Sequence, residues 1–303
     1  MLHIPVLTAE ALAILQPEKG GFFIDATTGT AGHSLAMLEA SNDAVKLLCL
    51  DRDQSSLEEA RNRLSARPRS PRRSLGPDGK DFSGQIIFRE GDFRDLKLLA
   101  GSAGFGAPDG IIYDLGLSSY LLNEAERGFS FQREGPLDMR FNRSEGEPVS
   151  RLLQDLPVEE LADVLYQYGE IRESRRLAAR IKEAVNCNAA NTTTQLADIS
   201  RRVIRRHGKA DPATRVFQAL RIAVNRELES LEISLPQAVE ILKPGGRLVI
   251  ISYHSLEDRI VKNFLKQNEQ LRVITKKPVQ PVRTEVVANP ASRSAKLRGA
   301  VKI

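Results

Sequence analysis

The stretch Phe22–Ser34, FFIDATTGTAGHS, passes from a short apolar run through small residues and two glycines into a helix-like pattern. A glycine loop between strand and helix lets backbone approach a ligand closely, and the helix behind it offers unpaired N–H groups. Four more apolar runs bounded by turn signals follow it: Lys46–Asp51 (KLLCLD), Gln85–Asp92 (QIIFREGD), Gly110–Gly116 (GIIYDLG) and Gly246–Tyr253 (GRLVIISY). Helix-like segments at His33–Ala40, Asp53–Leu64 and Phe93–Leu99 separate the first four runs. Such alternation implies parallel strands joined by crossover helices, hence an α/β fold with a doubly wound sheet.

After Gly116 the alternation stops for over a hundred residues. That interval carries helix-like segments at Val158–Tyr168, Arg172–Val185, Thr194–His207 and Pro212–Leu242, the last expected to be interrupted. The pattern predicts a discontinuous sheet domain, residues 1–118 and 226–303, with a mainly helical insertion at 119–225. Residues 65–84 are rich in Arg, Pro, Gly and Ser and read as a flexible surface loop. The final Asn289–Ile303 reads as a basic tail with room for an edge strand.

Composition is that of a soluble globular protein: 41% hydrophobic and 27% charged residues over 303 positions, with no apolar run long enough to span a membrane and no secretory leader pattern. A cytoplasmic location follows as the default. Cys49 and Cys187 are far apart and fall in no metal-ligand spacing, so no metal is expected. The net charge of +5 is unevenly spread. Six arginines and no acid lie between Arg61 and Arg73, ten Lys or Arg between Arg172 and Lys209, and eight between Arg272 and Lys302 against Glu285 alone. Any one such cluster is an ordinary solvated face; three in one chain point to a polyanionic partner.

The loop's details bear on its ligand. Asp51 ends the second strand 22 positions after Gly29, where a carboxylate can accept hydrogen bonds from a ribose diol. The loop lacks the G-x-G-x-x-G of a dinucleotide site, and Asp25 just ahead of it would repel a pyrophosphate. A sulfonium cofactor reverses that objection, because carboxylates attract its cationic sulfur and ammonium. Asp92 or Phe93 after the third strand suits an adenine edge, Asp114 ends the fourth strand, and Leu242–Ser255 (LKPGGRLVIISYHS) is a glycine turn running into a buried strand. The pattern is that of a methyltransferase using S-adenosylmethionine.

The blocks HIPVL (His3–Leu7), DATTGTAGHS (Asp25–Ser34), LDRD (Leu50–Asp53), DGIIYDLGLSS (Asp109–Ser119), ERGFSFQREGPLDMRF (Glu126–Phe141), ATRVFQALRIAVNREL (Ala213–Leu228) and PGGRLVIISYHSLEDRIVKNF (Pro244–Phe264) together resemble one family. It is that of the bacterial small-subunit ribosomal RNA cytosine-N(4)-methyltransferases, RsmH or MraW. The resemblance implies a Rossmann-like class I methyltransferase sheet. It implies transfer of a methyl group from S-adenosylmethionine to the exocyclic amine of a cytidine in the decoding region of 16S rRNA. Carried over by position, cofactor contacts fall on Ala31, Gly32, His33, Asp51, Phe93 and Asp114. Two positions depart from the family pattern: Ala31 stands where a glycine is usual, putting a methyl where backbone normally comes close, and Leu121 replaces a glutamine.

Methylating a cytosine amine requires a hydrogen-bond acceptor for the amine and near-attack alignment of nitrogen with methyl. Asp114 is the first candidate, as amine acceptor or as cofactor contact. His254 and Ser255, after the fifth strand, are candidates to touch the base or its ribose; the competing reading is that Ser255 and Asp258 cap the next helix. Phe129, Phe131, Asp138 and Arg140 are expected to line a substrate channel for a base taken out of its stack. Arg205 and Arg206, with Arg201 and Arg202, are expected on a basic helix contacting phosphates. His3 and His207 read as surface residues. A non-catalytic RNA-binding assembly factor and a methyltransferase of non-RNA amines remain the alternatives, and a homodimer stays open.

Overall fold

The computed structural model describes residues 5–67, 85–104, 106–206 and 211–303. They form two compact units, Met1–Ser118 with Leu228–Ile303, and Ser119–Glu227. His3, His207 and positions 68–84 of the expected loop lie outside the described residues; Ser65 and Ala66 belong to a helix instead.

In chain order the first unit carries α1 (Thr8–Leu15), β1 (Gly21–Asp25), α2 (Gly32–Ala40), β2 (Val45–Asp51), α3 (Gln54–Ala66), β3 (Ile86–Glu90), α4 (Leu96–Ala103) and β4 (Gly110–Asp114). The second carries α5 (Ser119–Asn123), α6 (Val149–Asp155), α7 (Val158–Gly169), α8 (Ser174–Asn186), α9 (Thr193–Val203) and α10 (Ala213–Asn225). Then α11 (Glu227–Ile241), β5 (Arg247–Ser252), α12 (Ser255–Gln267), β6 (Leu271–Val273), α13 (Arg283–Ala288) and β7 (Lys296–Lys302) complete the chain.

The seven strands are ordered β3-β2-β1-β4-β5-β7-β6. β1 to β5 pair in parallel, whereas β7 runs antiparallel to both its neighbours. Because successive strand residues face opposite sides, the runs split cleanly between two cores. Phe22, Ile24, Leu48, Leu50, Ile111, Tyr113, Leu248 and Ile250 pack with α4, α11 and α12 residues such as Leu96, Leu235 and Val261. Phe23, Leu47, Cys49, Ile112, Val249 and Ile251 pack on the other face with Leu15, Met37 and Leu64 of α1, α2 and α3. Burial on both faces explains why these strands are continuous apolar runs rather than alternating ones.

β7 corrects the expectation of an edge strand in a basic tail. It lies inside the sheet, between β5 and β6, and its five central residues are buried. Its charges are absorbed locally. Arg298 Nε donates to Asp258 Oδ1 at 2.7 Å, Lys296 Nζ reaches Asp258 Oδ2 at 3.3 Å, and Lys302 Nζ donates to the carbonyls of Glu240 and Leu242 at the end of α11.

Other differences are smaller. Phe93–Asp95 is a 3₁₀ turn leading into α4, and α9 ends at Val203, short of His207. The long Pro212–Leu242 segment breaks at Arg226, whose φ of 52° ends α10. α1 and β6 carry no signal that the sequence reading used. The second unit buries its own apolar residues, among them Leu153, Leu161, Leu165, Leu177, Ile181, Leu196, Val216 and Leu220.

Candidate active site

Three adjacent parallel strands, β2, β1 and β4, each end in an aspartate, so Asp51, Asp25 and Asp114 come to one carboxyl edge. Their surroundings differ. Asp25 is buried; its Oδ2 accepts from Ser34 Oγ at 2.7 Å and its Oδ1 from Thr27 N at 3.3 Å. Burial pushes its pKa upward against those bonds. Ser34 Oγ also lies 3.4 Å from Cys49 Sγ, and burial pushes that thiol up to about 12, so it is inert.

Asp51 organises the glycine loop. Its Oδ2 accepts from Gly29 N at 2.7 Å and its Oδ1 from Asp53 N at 3.0 Å. Burial raises its pKa to about 6 in spite of both bonds. Each oxygen keeps further acceptor capacity for a hydroxyl donor.

Asp114 has the opposite character. His33 Nε2 lies 3.3 Å from its Oδ2, Gly116 N donates to its Oδ1 at 3.3 Å, and the Tyr253 hydroxyl hydrogen-bonds to it. Burial alone would raise its pKa, but His33, Tyr253 and Gly116 outweigh burial and hold the carboxyl below the usual range. Burial likewise opposes charge on His33, yet Asp114 and the more distant Asp25 raise its pKa. The backbone at Asp114 is fixed by its N–H, which donates to Thr27 Oγ1 at 2.6 Å.

The loop's own N–H groups are engaged within the protein, whereas α2 behind it starts with no side-chain cap on its first N–H groups. Gly29, with φ 50°, turns its N–H onto Asp51; Thr28 N donates to Leu50 O and Ala31 N to Thr28 O. Ala31 adopts φ 62° and is fully buried among the Phe23, Met37 and Leu47 core. Its methyl therefore occupies core space, which corrects the reading that it intrudes where backbone meets ligand. Gly32 has its own reason: a Cβ there would stand 2.9 Å from Pro5 Cβ. Thr30 Oγ1, which the sequence reading did not select, is buried with no hydrogen-bond partner. Its position inside the motif was the available signal.

Phe93 opens the 3₁₀ turn after β3, half-buried, its ring edge-on to Tyr113 at 5.6 Å. Neighbouring Asp92 is engaged by Arg94 N, Ser230 Oγ and Arg52. His254 turns into its own helix: Nδ1 accepts from Glu257 N at 3.3 Å while Glu257 Oε2 accepts from Tyr253 N and His254 N. The cap of α12 is thus His254 with Glu257, not Ser255 with Asp258, whose carboxylate is taken by Arg298 and Lys296. Ser255 is exposed at the first position of α12. Tyr253 was also missed, although it stands directly before His254, just after β5.

The candidates in the second unit form a set of their own. Phe129 is buried and stacked on Phe141 at 5.3 Å, with the Arg127 guanidinium 5.9 Å from its centroid. Phe131 meets Phe217 edge-on at 5.0 Å and Arg201 at 5.7 Å. Arg140 forks onto Asp138 through Nε at 2.8 Å and Nη2 at 3.0 Å, and its Nη1 holds the carbonyls of Arg143 and Gly146. These four side chains thus brace the loop that carries them, so both rings have partners already and neither is a bare stacking platform. Arg201 is paired with Asp198 and Asp211. Arg205 and Arg206 are exposed beyond the end of α9 rather than on it.

Among the described residues, no group of three His, Cys, Asp or Glu is placed to hold a metal, and no helix is long and apolar enough to cross a membrane. The sheet order, the acidic carboxyl edge and the glycine loop define a methyltransferase of the doubly wound α/β class. Residues 1–303 match the model of the MraW methylase family, and the chain belongs to that family. It is 45% identical over 320 residues to the ribosomal RNA small subunit methyltransferase H of Thermomicrobium roseum, covering 99% of this chain and 94% of that protein. The protein of the same name from Cyanothece sp. is 45% identical over 303 residues, covering 100% and 95%. Among solved structures, an rRNA methylase from Streptococcus thermophilus aligns with TM-score 0.43 and 10% identity over 100% of this chain and 99% of that one. TrmN from Thermus thermophilus aligns with TM-score 0.45 and 12% identity over 98% and 48%.

The cofactor is S-adenosylmethionine. The residues present fit it: Thr30 Oγ1 is an orphaned polar atom in the loop, and Asp51 retains acceptor capacity suited to a ribose diol.

Proposed function

We propose that the protein methylates the N4 exocyclic amine of a cytidine in the decoding region of 16S rRNA, in the cytoplasm. The observation that carries this reading is Asp114: an ionised carboxylate at the strand end, its pKa held down by His33, Tyr253 and Gly116. Such a group accepts a hydrogen bond from an amine N–H and orients the nitrogen. Its low basicity makes it an orienting acceptor rather than a strong base. When bound, S-adenosylmethionine supplies an electrophilic methyl group on a cationic sulfur. Asp51 would hold the ribose hydroxyls, Thr30 and the backbone of Gly32 and His33 the polar remainder, and Phe93 the adenine face. Arg205 and Arg206 would contact RNA phosphates. The names of the relatives supply the RNA class.

The burial of the Ala31 methyl in the core weakens the case for a non-catalytic assembly factor, because that methyl leaves the ligand side of the loop unobstructed. The test is incubation with methyl-labelled S-adenosylmethionine and small subunits from cells lacking the modification, then nucleoside analysis. Label in N(4)-methylcytidine is the expected result; label in any other nucleoside, or cofactor binding without label in RNA, overturns the assignment.

A further inference from the structure

The C-terminal basic cluster separates into two groups. Of its eight cations, Lys296, Arg298 and Lys302 are consumed by Asp258 and by the carbonyls of Glu240 and Leu242. Arg272, Lys276, Lys277, Arg283 and Arg293 are exposed, and none has an acidic partner among the described residues. Four of these, all but Arg272, fall in the excursion 274–295 that links β6 to β7.

Topology places that excursion. β7 is antiparallel to β5, so its first residue, Lys296, pairs with Ser252 at the carboxyl end of β5. Whatever precedes Lys296 therefore lies at the same edge as Asp51, Asp25 and Asp114. Three contacts agree. Val279 and Leu297 exchange backbone hydrogen bonds of 2.9 Å, pinning the start of the excursion to β7. Glu285 Oε1 in α13 accepts from Leu7 N at 2.8 Å, two residues after the Pro5 that packs against Gly32 of the cofactor loop. Glu285 also acts electrostatically on Tyr253, the residue that hydrogen-bonds Asp114. The one acid in the excursion is thus turned inward onto backbone, and its cations face solvent.

From this geometry we infer that Lys276, Lys277, Arg283 and Arg293 form a cationic rim on the sheet unit, beside the catalytic edge, that grips the phosphodiester backbone of the RNA flanking the target nucleotide. The inference rests on the RNA reading above. Four unpaired cations opposed by one committed acid suit a polyanion, and phosphates are contacted without sequence readout. Apolar Val282 and Val287, 59% and 75% exposed, flank Arg283 on the same segment and give a ribose or base face something to rest on.

The experiment compares the unaltered protein with the variant K276Q/K277Q/R283Q/R293Q. Binding of a fluorescein-labelled decoding-region RNA is followed by anisotropy against salt, with S-adenosylmethionine affinity and melting temperature as controls. The expected result is a slope of log affinity against log salt shallower by about 3, from about 0.7 per lost phosphate contact on single-stranded RNA, with both controls unchanged. The pair variant K276Q/K277Q should give about half that change, which keeps the proposal testable should the quadruple variant fold poorly. If the unaltered protein fails to bind RNA, the RNA reading and the rim fall together; if it binds and the variant matches it in affinity and slope, only the rim falls. A variant that binds naked RNA normally but methylates assembled small subunits poorly would place ribosomal protein on this face and overturn the proposal.

Discussion

Two carboxylates on the same carboxyl edge of the sheet, Asp51 and Asp114, are given opposite character by what surrounds them. Asp51 has backbone donors but no cationic partner among the described residues, and burial lifts its pKa to about 6. Ribose hydroxyls favour the ionised form, so protonation competes with binding. Affinity for S-adenosylmethionine, measured by calorimetry, should be flat above pH 7 and fall by up to about tenfold per pH unit below 6. The Asp51→Ala variant should lose measurable affinity yet remain folded, since two backbone donors left unpaired cost about 1–3 kcal/mol each; normal affinity would remove Asp51 from the site. Ala31 offers a third test. Replacing it with glycine relieves about 1 kcal/mol of left-handed backbone strain but forfeits about 0.8 kcal/mol of buried methyl and adds chain entropy. Stability by denaturant melts should change by less than about 1 kcal/mol, with cofactor affinity unchanged; a large gain in affinity would return the methyl to the ligand side.

At the scale of elements, the start of α12 shows how one residue can be read two ways. His254 supplies the cap, and Glu257 returns the favour to two backbone N–H groups. Truncating His254 to alanine should cost about 1–2 kcal/mol in thermal or urea melts, with kcat changed less than about threefold. A loss of activity of a hundredfold or more at unchanged stability would instead put His254 among the reacting groups. The same capping logic was visible in the sequence for the wrong pair, because Ser255 and Asp258 have the right spacing one residue out of register. Register is decided by Asp258, which is drawn to Arg298 and Lys296 of β7.

For the whole molecule, charge is the property that separates architecture from recognition. Much of the basic content is structural: Arg176 and Lys182 cap carbonyls of Val203, Leu153 and Gln154, and Arg201 pairs with Asp198 and Asp211. Arg205 and Arg206 lie exposed past the end of α9. Reversing both to glutamate should weaken RNA binding and make its salt slope shallower by about 1.4 or more, on about 0.7 per phosphate contact. An unchanged slope would take them out of the RNA interface.

What the sequence by itself determined is the material of the sheet and of its ligand edge. Continuous apolar runs ending in Asp25, Asp51 and Asp114, with a glycine loop after the first, are local patterns, and local pattern is enough to place strands and their ends. The break at Arg226 and the helical interval were legible for the same reason. Only the tertiary structure decided which groups are spent. The burial of the Ala31 methyl, the closure of Phe129 on Phe141, the pairing of Asp138 with Arg140 and the position of β7 inside the sheet all depend on partners that tertiary packing supplies. A charge or a ring in a sequence carries no mark of whether folding will satisfy it, because desolvation and pairing exist only once the partner segments have met.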